Sequence, residues 1–346
     1  MNPKDKSQDA RAKENGQALF ALLNGYQNTA LVYVAAKLGL ADLLAGGSRE
    51  SSDLARSVGA HPSALHRILR ALVVLGVCRE DDDGRFSMSS SGVLLRADAP
   101  GSLRAMAIIC GEEYLGAWGG LLHSVLTGEK AFDRVFGMSQ WEHREMHPEL
   151  SEQFNSDLAQ ETARAGAAIV AAYDFSQFGA IADVGGGQGA LLAAILNACP
   201  KTSGILLDTP HVIEKAHRYL EGEGVAARCR CVSGDFFAGV PDGADVHVLK
   251  SVIHDWDDEK SLVILANCRA ALNAEGRLLL VERVMPERAA DDPSTILVDV
   301  QMLAITGGRE RTEAEYRALL SAAGFRLTKI IPTAAPFKII EGVRAE

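Results

Sequence analysis

The chain has 346 residues and a formal net charge of −10, with 47% hydrophobic and 23% charged residues. These proportions are ordinary for a globular protein and exclude a largely disordered chain. The length suggests two domains, since one domain typically holds about 100–200 residues. The net acidity argues against a protein that binds nucleic acid through its phosphates, because such binding needs a basic surface.

No apolar stretch approaches the ~20 residues that a membrane-spanning helix requires, so we expect no membrane span. The segment Met1–Asn15 is rich in charge and lacks the apolar core of a secretory signal. The six cysteines include one close pair, Cys229 and Cys231, whose spacing matches neither a disulfide framework nor a zinc motif. We therefore expect a reduced, cytoplasmic protein.

Residues 1–100 have the pattern of short helices followed by a small β element. Apolar residues recur at helical spacing over Leu19–Leu40, and further helices are predicted from Ser52 and through Leu65–Val73. The acidic turn Asp81–Gly84 and the alternating residues after it predict a hairpin. Helix, turn, helix and hairpin in this order are typical of a winged helix.

Residues 101–175 are predicted to be helical, including a long helix after Pro148. Over residues 176–346, apolar runs of strand length alternate with helices, which predicts an α/β, Rossmann-like, doubly wound and mostly parallel sheet. The last run, Phe337–Val343, follows Pro336 too closely for a crossover helix, so we expect the last strand to be antiparallel. The other predicted strand runs are Ile181–Val184, Ile205–Leu207, Val246–Leu249, Leu278–Val281 and Leu327–Ile331.

A glycine-rich loop, Gly185–Gly189, follows the first of these strands and opens a helix. Glycines allow a tight turn and a close approach to a ligand, and a helix N-terminus offers free N–H groups. The pattern alone fits a nicotinamide dinucleotide site. However, Asp183 precedes the first glycine by two residues, where a carboxylate would repel a pyrophosphate and suit a cationic ligand.

Acidic residues also follow the next two strands. Asp208 stands where an acid binds ribose hydroxyls, either of a dinucleotide or of an adenosyl group. Asp235 and Phe236 could bond the adenine amine and stack on its ring, although a capping aspartate beside a core phenylalanine is about equally typical of this pattern. These residues indicate a nucleoside without identifying it.

His254 lies just beyond the carboxyl end of a predicted strand, the edge where open α/β sheets bind their ligands. Glu282 ends the next predicted strand at the same edge, and Glu310 lies in the loop Gly307–Thr312. An imidazole held by carboxylates is a proton acceptor poised near neutral pH. His254 is therefore a candidate general base.

Five motifs occur in one order along the chain: Asp-Val-Gly-Gly-Gly-x-Gly, Asp-x-Pro-His-Val-Ile, Gly-Asp-Phe-Phe, Leu-Lys-x-x-x-His-Asp-Trp and Gly-Gly-x-Glu-Arg-Thr. In these motifs the chain resembles the S-adenosylmethionine-dependent O-methyltransferases of the caffeic acid and hydroxyindole type, which include bacterial natural-product enzymes of secondary metabolism. The resemblance covers nearly the whole chain.

The resemblance implies an S-adenosylmethionine-binding domain over 101–346, with a helical substrate-lining linker over 101–175 and a class I methyltransferase sheet over 176–346. A helical winged-helix dimerisation domain over 1–100 precedes it. It implies an intertwined homodimer, S-adenosylmethionine as methyl donor, S-adenosylhomocysteine as product, no metal ion, and a small aromatic hydroxyl as acceptor. The implied donor contacts are Asp183, Gly185, Gly187, Asp208, Asp235, Phe236 and Lys250. The implied catalytic residues are His254, Glu282 and Glu310, and the implied acceptor contacts are Phe154, Asn155, Leu158, Asp255, Met302 and Thr306.

The acceptor pocket departs from the family pattern. Leu158 stands where the family often carries a methionine, and Ile305 and Thr306 stand where plant members tend to carry polar histidine and asparagine. These differences leave the acceptor unidentified.

Three other functions fit parts of the sequence. The glycine loop fits an NAD-dependent oxidoreductase, and the winged helix fits a DNA-binding regulator, although the acids of Glu80–Asp83 would repel the DNA backbone. His143 and His147 have the i, i+4 spacing of zinc ligands on a helix, but no third ligand is evident and we expect no metal there.

Overall fold

The computed structural model describes residues 14–345, so most of the charged segment Met1–Asn15 lies outside the described residues. The described chain divides into two compact units, the first ending at Gly116 and the second beginning at Ala117. Within residues 14–345, no helix is both long and apolar enough to cross a bilayer.

The first unit has the predicted order of helix, turn, helix and hairpin. Residues 14–23 are helical, and the strands β1 (Cys78–Glu80) and β2 (Phe86–Met88) pair antiparallel. Leu54, Leu69 and Phe86 are fully buried, so the apolar faces of the paired helices and the hairpin form a core of their own. The helices of this unit are α1 (Gly25–Lys37), α2 (Leu40–Leu43), α3 (Ser51–Val58), α4 (Pro62–Val74) and α5 (Arg104–Ile109).

The second unit contains the sheet and its helices. A short helix, α6 (Leu115–Gly119), contains the division between the units. The further helices are α7 (Leu121–Thr127), α8 (Ala131–Phe136), α9 (Gln140–Met146), α10 (Pro148–Ala172), α11 (Ala190–Ala198), α12 (Pro210–Gly222), α13 (Asp258–Ala271), α14 (Pro293–Ile305) and α15 (Glu313–Ala322).

The sheet has seven strands in the order β5-β4-β3-β6-β7-β9-β8, and the prediction of a mostly parallel sheet is confirmed. Strands β3 to β7 are parallel, whereas β9 pairs antiparallel with both β7 and β8. No apolar run marks β5, because this edge strand is only half buried. The strands are β3 (Ala180–Val184), β4 (Ser203–Asp208), β5 (Cys229–Ser233), β6 (Val246–Lys250), β7 (Arg277–Glu282), β8 (Phe325–Pro332) and β9 (Lys338–Arg344).

Alternating residues of the central strands face two separate hydrophobic cores. In β7, Leu279 and Val281 pack with α10, α11 and α12, whereas Leu278 and Leu280 pack with α13 and α15. Each face of the sheet is thus covered by helices, as parallel sheets require. The chain reverses its direction of winding between the neighbouring strands β3 and β6. A crevice is expected beyond the carboxyl ends of these two strands, where doubly wound sheets bind ligands.

Candidate active site

The glycine loop after β3 packs tightly against its neighbours. Gly185 has a φ of 69°, and a Cβ there would lie 3.0 Å from Val252 and 3.4 Å from the ring of Phe236. A Cβ on Gly186 would lie only 2.4 Å from the carboxyl carbon of Asp183. Side chains at Gly185 and Gly186 would therefore collide with these neighbours, whereas a Cβ on Gly187 would meet no atom within 4 Å.

Two carboxyls lie beneath and beside this loop. Asp183 is 2% exposed, and its carboxyl oxygens have no hydrogen-bond partner among residues 14–345. Burial, together with the charge of Asp208, raises the pKa of Asp183 to about 7. Asp208 accepts hydrogen bonds from the N–H groups of Gly187 (2.8 Å) and Thr209 (2.7 Å). Burial raises the pKa of Asp208, and these hydrogen bonds oppose the rise.

The segment after β5 places an aromatic ring against the glycine loop. Phe236 is half buried, and its ring lies 6.2 Å from that of Trp256 in an edge-to-face arrangement. The side chain of Asp235 is exposed and accepts a hydrogen bond from the N–H of Phe237 (2.8 Å). Asn267 donates to the carbonyls of Phe236 and Phe237, at 2.9 Å each, and so fixes this segment.

Lys250 ends β6 at the same edge of the sheet. Its Nζ lies 3.2 Å from Oε2 of Glu161 and 4.3 Å from the centroid of the Phe337 ring. Glu161 was not predicted from the sequence, although it follows Phe154 by seven residues and therefore shares its face of α10. The Lys250 side chain is 6% exposed and that of Glu161 is 36% exposed, so the ion pair is shielded from solvent on the lysine side only.

His254 lies in a short turn that follows β6, and three carboxyls surround its ring. Its Nδ1 lies 2.8 Å from Oε1 of Glu310 and 3.8 Å from Oε2 of Glu282, while its Nε2 lies 3.9 Å from Oδ1 of Asp255. Glu282 also accepts hydrogen bonds from the N–H groups of Val252 (3.0 Å) and Ile253 (2.9 Å). The predicted catalytic residues are thus brought together by the structure.

The carboxyls determine the charge of the imidazole. Burial lowers the pKa of His254, but the charges of Glu282, Asp255 and Glu310 outweigh it and raise the pKa to about 10. Burial raises the pKa of Glu282 to about 7 and that of Asp255 to about 6, against the attraction of His254. These groups titrate as a cluster, so protons are shared among them near neutral pH.

The same cluster is the place where the described residues could hold a metal ion. His254, Glu282 and Glu310 each present one ligand atom, and these atoms all lie within 4.8 Å of one another. Imidazole and carboxylate ligands suit several divalent cations. Nδ1 of His254 and Oε1 of Glu310 are already joined by a hydrogen bond of 2.8 Å.

Aromatic and charged side chains connect α9 and α10 with the His254 segment. Phe154 lies under the guanidinium of Arg144 at 3.5 Å and beside the Trp141 ring at 6.3 Å. Trp141 in turn stacks with Trp256 at 6.0 Å. Arg144 is buried. Burial of Asp255 raises the pKa of its carboxyl, and the positive charge of Arg144 opposes this rise in part.

The remaining predicted acceptor contacts are less closely tied to His254. Leu158 is half buried on α10, and Asn155 bonds within that helix to Ser151 (3.4 Å). Met302 and Thr306 end α14, where the Thr306 hydroxyl donates to the Met302 carbonyl (3.1 Å). Among the described residues, none of these four side chains makes a hydrogen bond, ion pair or ring contact with the imidazole.

His143 and His147 do not lie on one helix, so the prediction that they have the i, i+4 spacing of zinc ligands on a helix is wrong. Helix α9 ends at Met146, and His147 lies between α9 and α10, because Pro148 begins the next helix. The two rings nevertheless lie near each other, with centroids 4.5 Å apart.

Two family models match the chain. An O-methyltransferase domain matches residues 118–326, and an O-methyltransferase dimerisation domain matches residues 20–97. Among curated proteins, a phenazine O-methyltransferase of Lysobacter antibioticus is 43% identical, over 93% of this chain and 94% of that protein.

The chain is also similar to solved structures of O-methyltransferases. The mitomycin 7-O-methyltransferase MmcR is 37% identical with a TM-score of 0.92, over 98% of this chain and 100% of that one. The O-methyltransferase NcsB1 from neocarzinostatin biosynthesis is 34% identical with a TM-score of 0.82, over 92% of this chain and 96% of that one. That structure contains S-adenosylmethionine and 2-hydroxy-5-methyl naphthoic acid.

Proposed function

Because this chain belongs to the family of S-adenosylmethionine-dependent O-methyltransferases, we propose that it methylates a phenolic hydroxyl of a small aromatic natural product, with His254 as the general base. The observation that carries this proposal is the hydrogen bond of 2.8 Å between Nδ1 of His254 and Glu310. An NAD-dependent oxidoreductase and a DNA-binding regulator are not favoured, because the matching proteins are methyltransferases.

The hydrogen bond with Glu310 defines what the imidazole does. In its neutral form, which is the minor form at neutral pH because the pKa of His254 is about 10, the ring carries its proton on Nδ1 toward Glu310 and leaves the Nε2 lone pair free. Nε2 then accepts the proton of the acceptor hydroxyl, and Glu282, Asp255 and Glu310 stabilise the imidazolium that forms. A phenol has a pKa of ~10 and is mostly protonated at neutral pH, so this proton transfer is the main chemical task.

The residues at the sheet edge fit the methyl donor. A cationic sulfonium suits a site with the unpartnered buried carboxyl of Asp183, and the space around Gly187, where a Cβ would meet no atom within 4 Å, leaves room for a ligand. We propose that Asp208 holds the ribose hydroxyls, Phe236 contacts the adenine, and Gly185, Gly187 and Lys250 contact the remainder of the donor. The exposed Asp235 has one carboxyl oxygen free for the adenine amine.

When bound, S-adenosylmethionine supplies a methyl group on a positively charged sulfur. The leaving group is S-adenosylhomocysteine, in which that sulfur is neutral. The acceptor oxygen forms the new bond to the methyl carbon, and the electron pair of the broken bond goes to sulfur. The proton of the hydroxyl ends on His254. Alignment within a closed pocket provides the rest of the rate, and we propose that no metal ion takes part.

Replacing Asp208 by alanine is expected to weaken S-adenosylhomocysteine binding by about 10–150-fold, since hydrogen bonds to a charged group contribute ~1.5–3 kcal/mol. The rate at saturating donor should change little. Calorimetry measures the affinity, and Glu214→Gln, which removes an exposed acid on α12, is the matched control. An unchanged dissociation constant in Asp208→Ala would place the ribose elsewhere.

Replacing Glu310 by glutamine is expected to lower the pKa of His254, because one of the charges that favour the imidazolium is removed. The active form of the base is unprotonated, so the rate rises with pH through this pKa. The rising limb of the pH–rate profile should therefore move to lower pH in Glu310→Gln. The maximal rate should also fall, by roughly 10–100-fold, because a neutral amide holds the ring less firmly than a carboxylate does.

The control for this profile is Glu313→Gln, which removes an exposed carboxylate at the start of α15. Its profile should match the unmodified protein. A Glu310→Gln profile displaced to higher pH would contradict the proposed role of the carboxylate.

A further inference from the structure

Arg311 is a fully buried arginine whose side-chain hydrogen bonds all go to the His254 segment or its continuation, within the part of the chain that the structure describes. Its Nη1 donates to the carbonyl of Ile253 (3.0 Å), and its Nη2 donates to the carbonyl of Trp256 (2.9 Å). Nε and Nη2 also bond Oδ1 of Asp258, at 3.0 and 2.8 Å, and Nη2 lies 3.3 Å from the Ser261 hydroxyl. The guanidinium is 0% exposed.

The two carbonyls that Arg311 binds bracket His254 and Asp255. These residues form a single tight turn, Ile253–Asp255, which lacks the hydrogen-bond ladder of a longer helix. Buried carbonyls in such a turn need other donors. Only a planar group with several fixed N–H donors can reach both carbonyls and a carboxylate together, which is a property of arginine and not of lysine.

The loop that carries Arg311 also carries Glu310 and packs against the same turn. Gly308 lies so close that a Cβ on it would be 1.9 Å from the His254 carbonyl oxygen. The backbone N–H of Glu310 is held in turn by Oδ1 of Asp299 (2.9 Å). One loop therefore fixes the backbone around His254 and presents the carboxylate that orients its ring.

We propose that Arg311 is a positioning residue, which holds the turn Ile253–Trp256 so that the His254 ring stays at hydrogen-bond distance from Glu310 with Nε2 toward the acceptor. This inference rests on the proposed role of His254. Displacement of a reacting group by about 1 Å can cost ~10²-fold in rate, so a loosened turn is expected to affect catalysis strongly.

The test compares Arg311→Lys with the unmodified protein. Arg311→Lys should lower kcat by about 10–100-fold, with the acceptor KM and the S-adenosylhomocysteine affinity within about twofold. The rising limb of its pH–rate profile should move to lower pH, as for Glu310→Gln, because the ring separates from the carboxylate. Arg317→Lys, which alters an exposed arginine–glutamate pair on α15, should leave all of these unchanged.

Asp258→Asn provides a second variant, since Asp258 is half exposed and its carboxylate bonds the Arg311 guanidinium and the exposed side chain of Arg309. It should lower kcat by severalfold with the same displacement of the pH profile. If Arg311→Lys fails to fold, the result for Asp258→Asn decides the question. Unchanged kcat and pH profile in whichever variant folds would overturn the proposal.

A double variant separates this inference from the proposed function. In a His254→Ala background, Arg311→Lys should cause no further loss of rate, because the residue acts through the imidazole. An equal loss in both backgrounds would overturn the positioning role. If His254→Ala alone leaves the rate unchanged, the base assignment fails instead, and the two failures are thus distinguishable.

Discussion

Replacing His254 by alanine is expected to reduce the methyl-transfer rate at saturating donor by about 10²–10⁴-fold, the usual contribution of a positioned general base. The donor affinity should be nearly unchanged, because the ring contacts carboxyls and not the glycine loop. The rate is measured by mass spectrometry with labelled donor and a panel of phenols. Calorimetry with S-adenosylhomocysteine measures donor binding separately.

The matched control is His217→Ala, which removes an exposed histidine of α12 that pairs with Glu221. Its rate and donor affinity should equal those of the unmodified protein. A large loss of donor affinity in His254→Ala would count against the base role, since the defect would then lie in binding.

Disruption of the N-terminal helices is expected to abolish both dimerisation and activity. Leu19, Phe20, Leu22 and Leu23 are each at least 60% exposed in the single chain, although they are large and apolar. Such a contiguous surface indicates that another protein covers it, and the dimerisation-domain match over residues 20–97 indicates a second copy. An intertwined interface would bury well over ~2,000 Å² and behave as obligate.

Light scattering should therefore give about twice 36.9 kDa for the unmodified chain, without dissociation at nanomolar concentration. The double variant Leu22→Glu, Leu23→Glu, or deletion of residues 1–40, should lose the dimer and the activity, because we predict that the monomer is not stably folded. Val74→Glu changes a lone apolar residue that is 86% exposed and is the control. A folded, active monomer would contradict this account.

Much of the fold follows from local patterns in the sequence. The strands β3, β4, β6 and β7 are marked by continuous apolar runs, because both faces of a parallel strand are buried. The glycines of the loop after β3 are needed where the backbone packs against Asp183 and Val252. The last strand is antiparallel because the chain after Pro336 is too short for a crossover.

The candidate site was predictable mainly where it lies at a strand end, or in a loop motif such as the one that carries Glu310. His254, Glu282 and Asp208 each follow or end a strand, so the sheet topology alone brings them to one edge. Glu161 and Arg311 carry no such signal. Their roles depend on pairing with Lys250 and with the turn after Ile253, residues that lie 89 and 58 positions away in the sequence.

The structure leaves another ambiguity of the sequence open. The pattern around Asp235 fitted a capping aspartate and an adenine contact about equally. The Asp235 carboxyl accepts a hydrogen bond from the N–H of Phe237 in a turn, where no helix begins, and this bond uses one carboxyl oxygen. The contact with adenine stays a prediction.

The most direct test of His254 as the base compares two acceptors of the same shape, one phenol of ordinary pKa and a fluorinated analogue whose hydroxyl is already ionised at the assay pH. An ionised hydroxyl has no proton to remove, so the base should matter little for it. The loss of rate in His254→Ala is predicted to be large for the ordinary phenol and at least tenfold smaller for the analogue. Equal losses for the two acceptors would contradict the assignment of His254 as the general base.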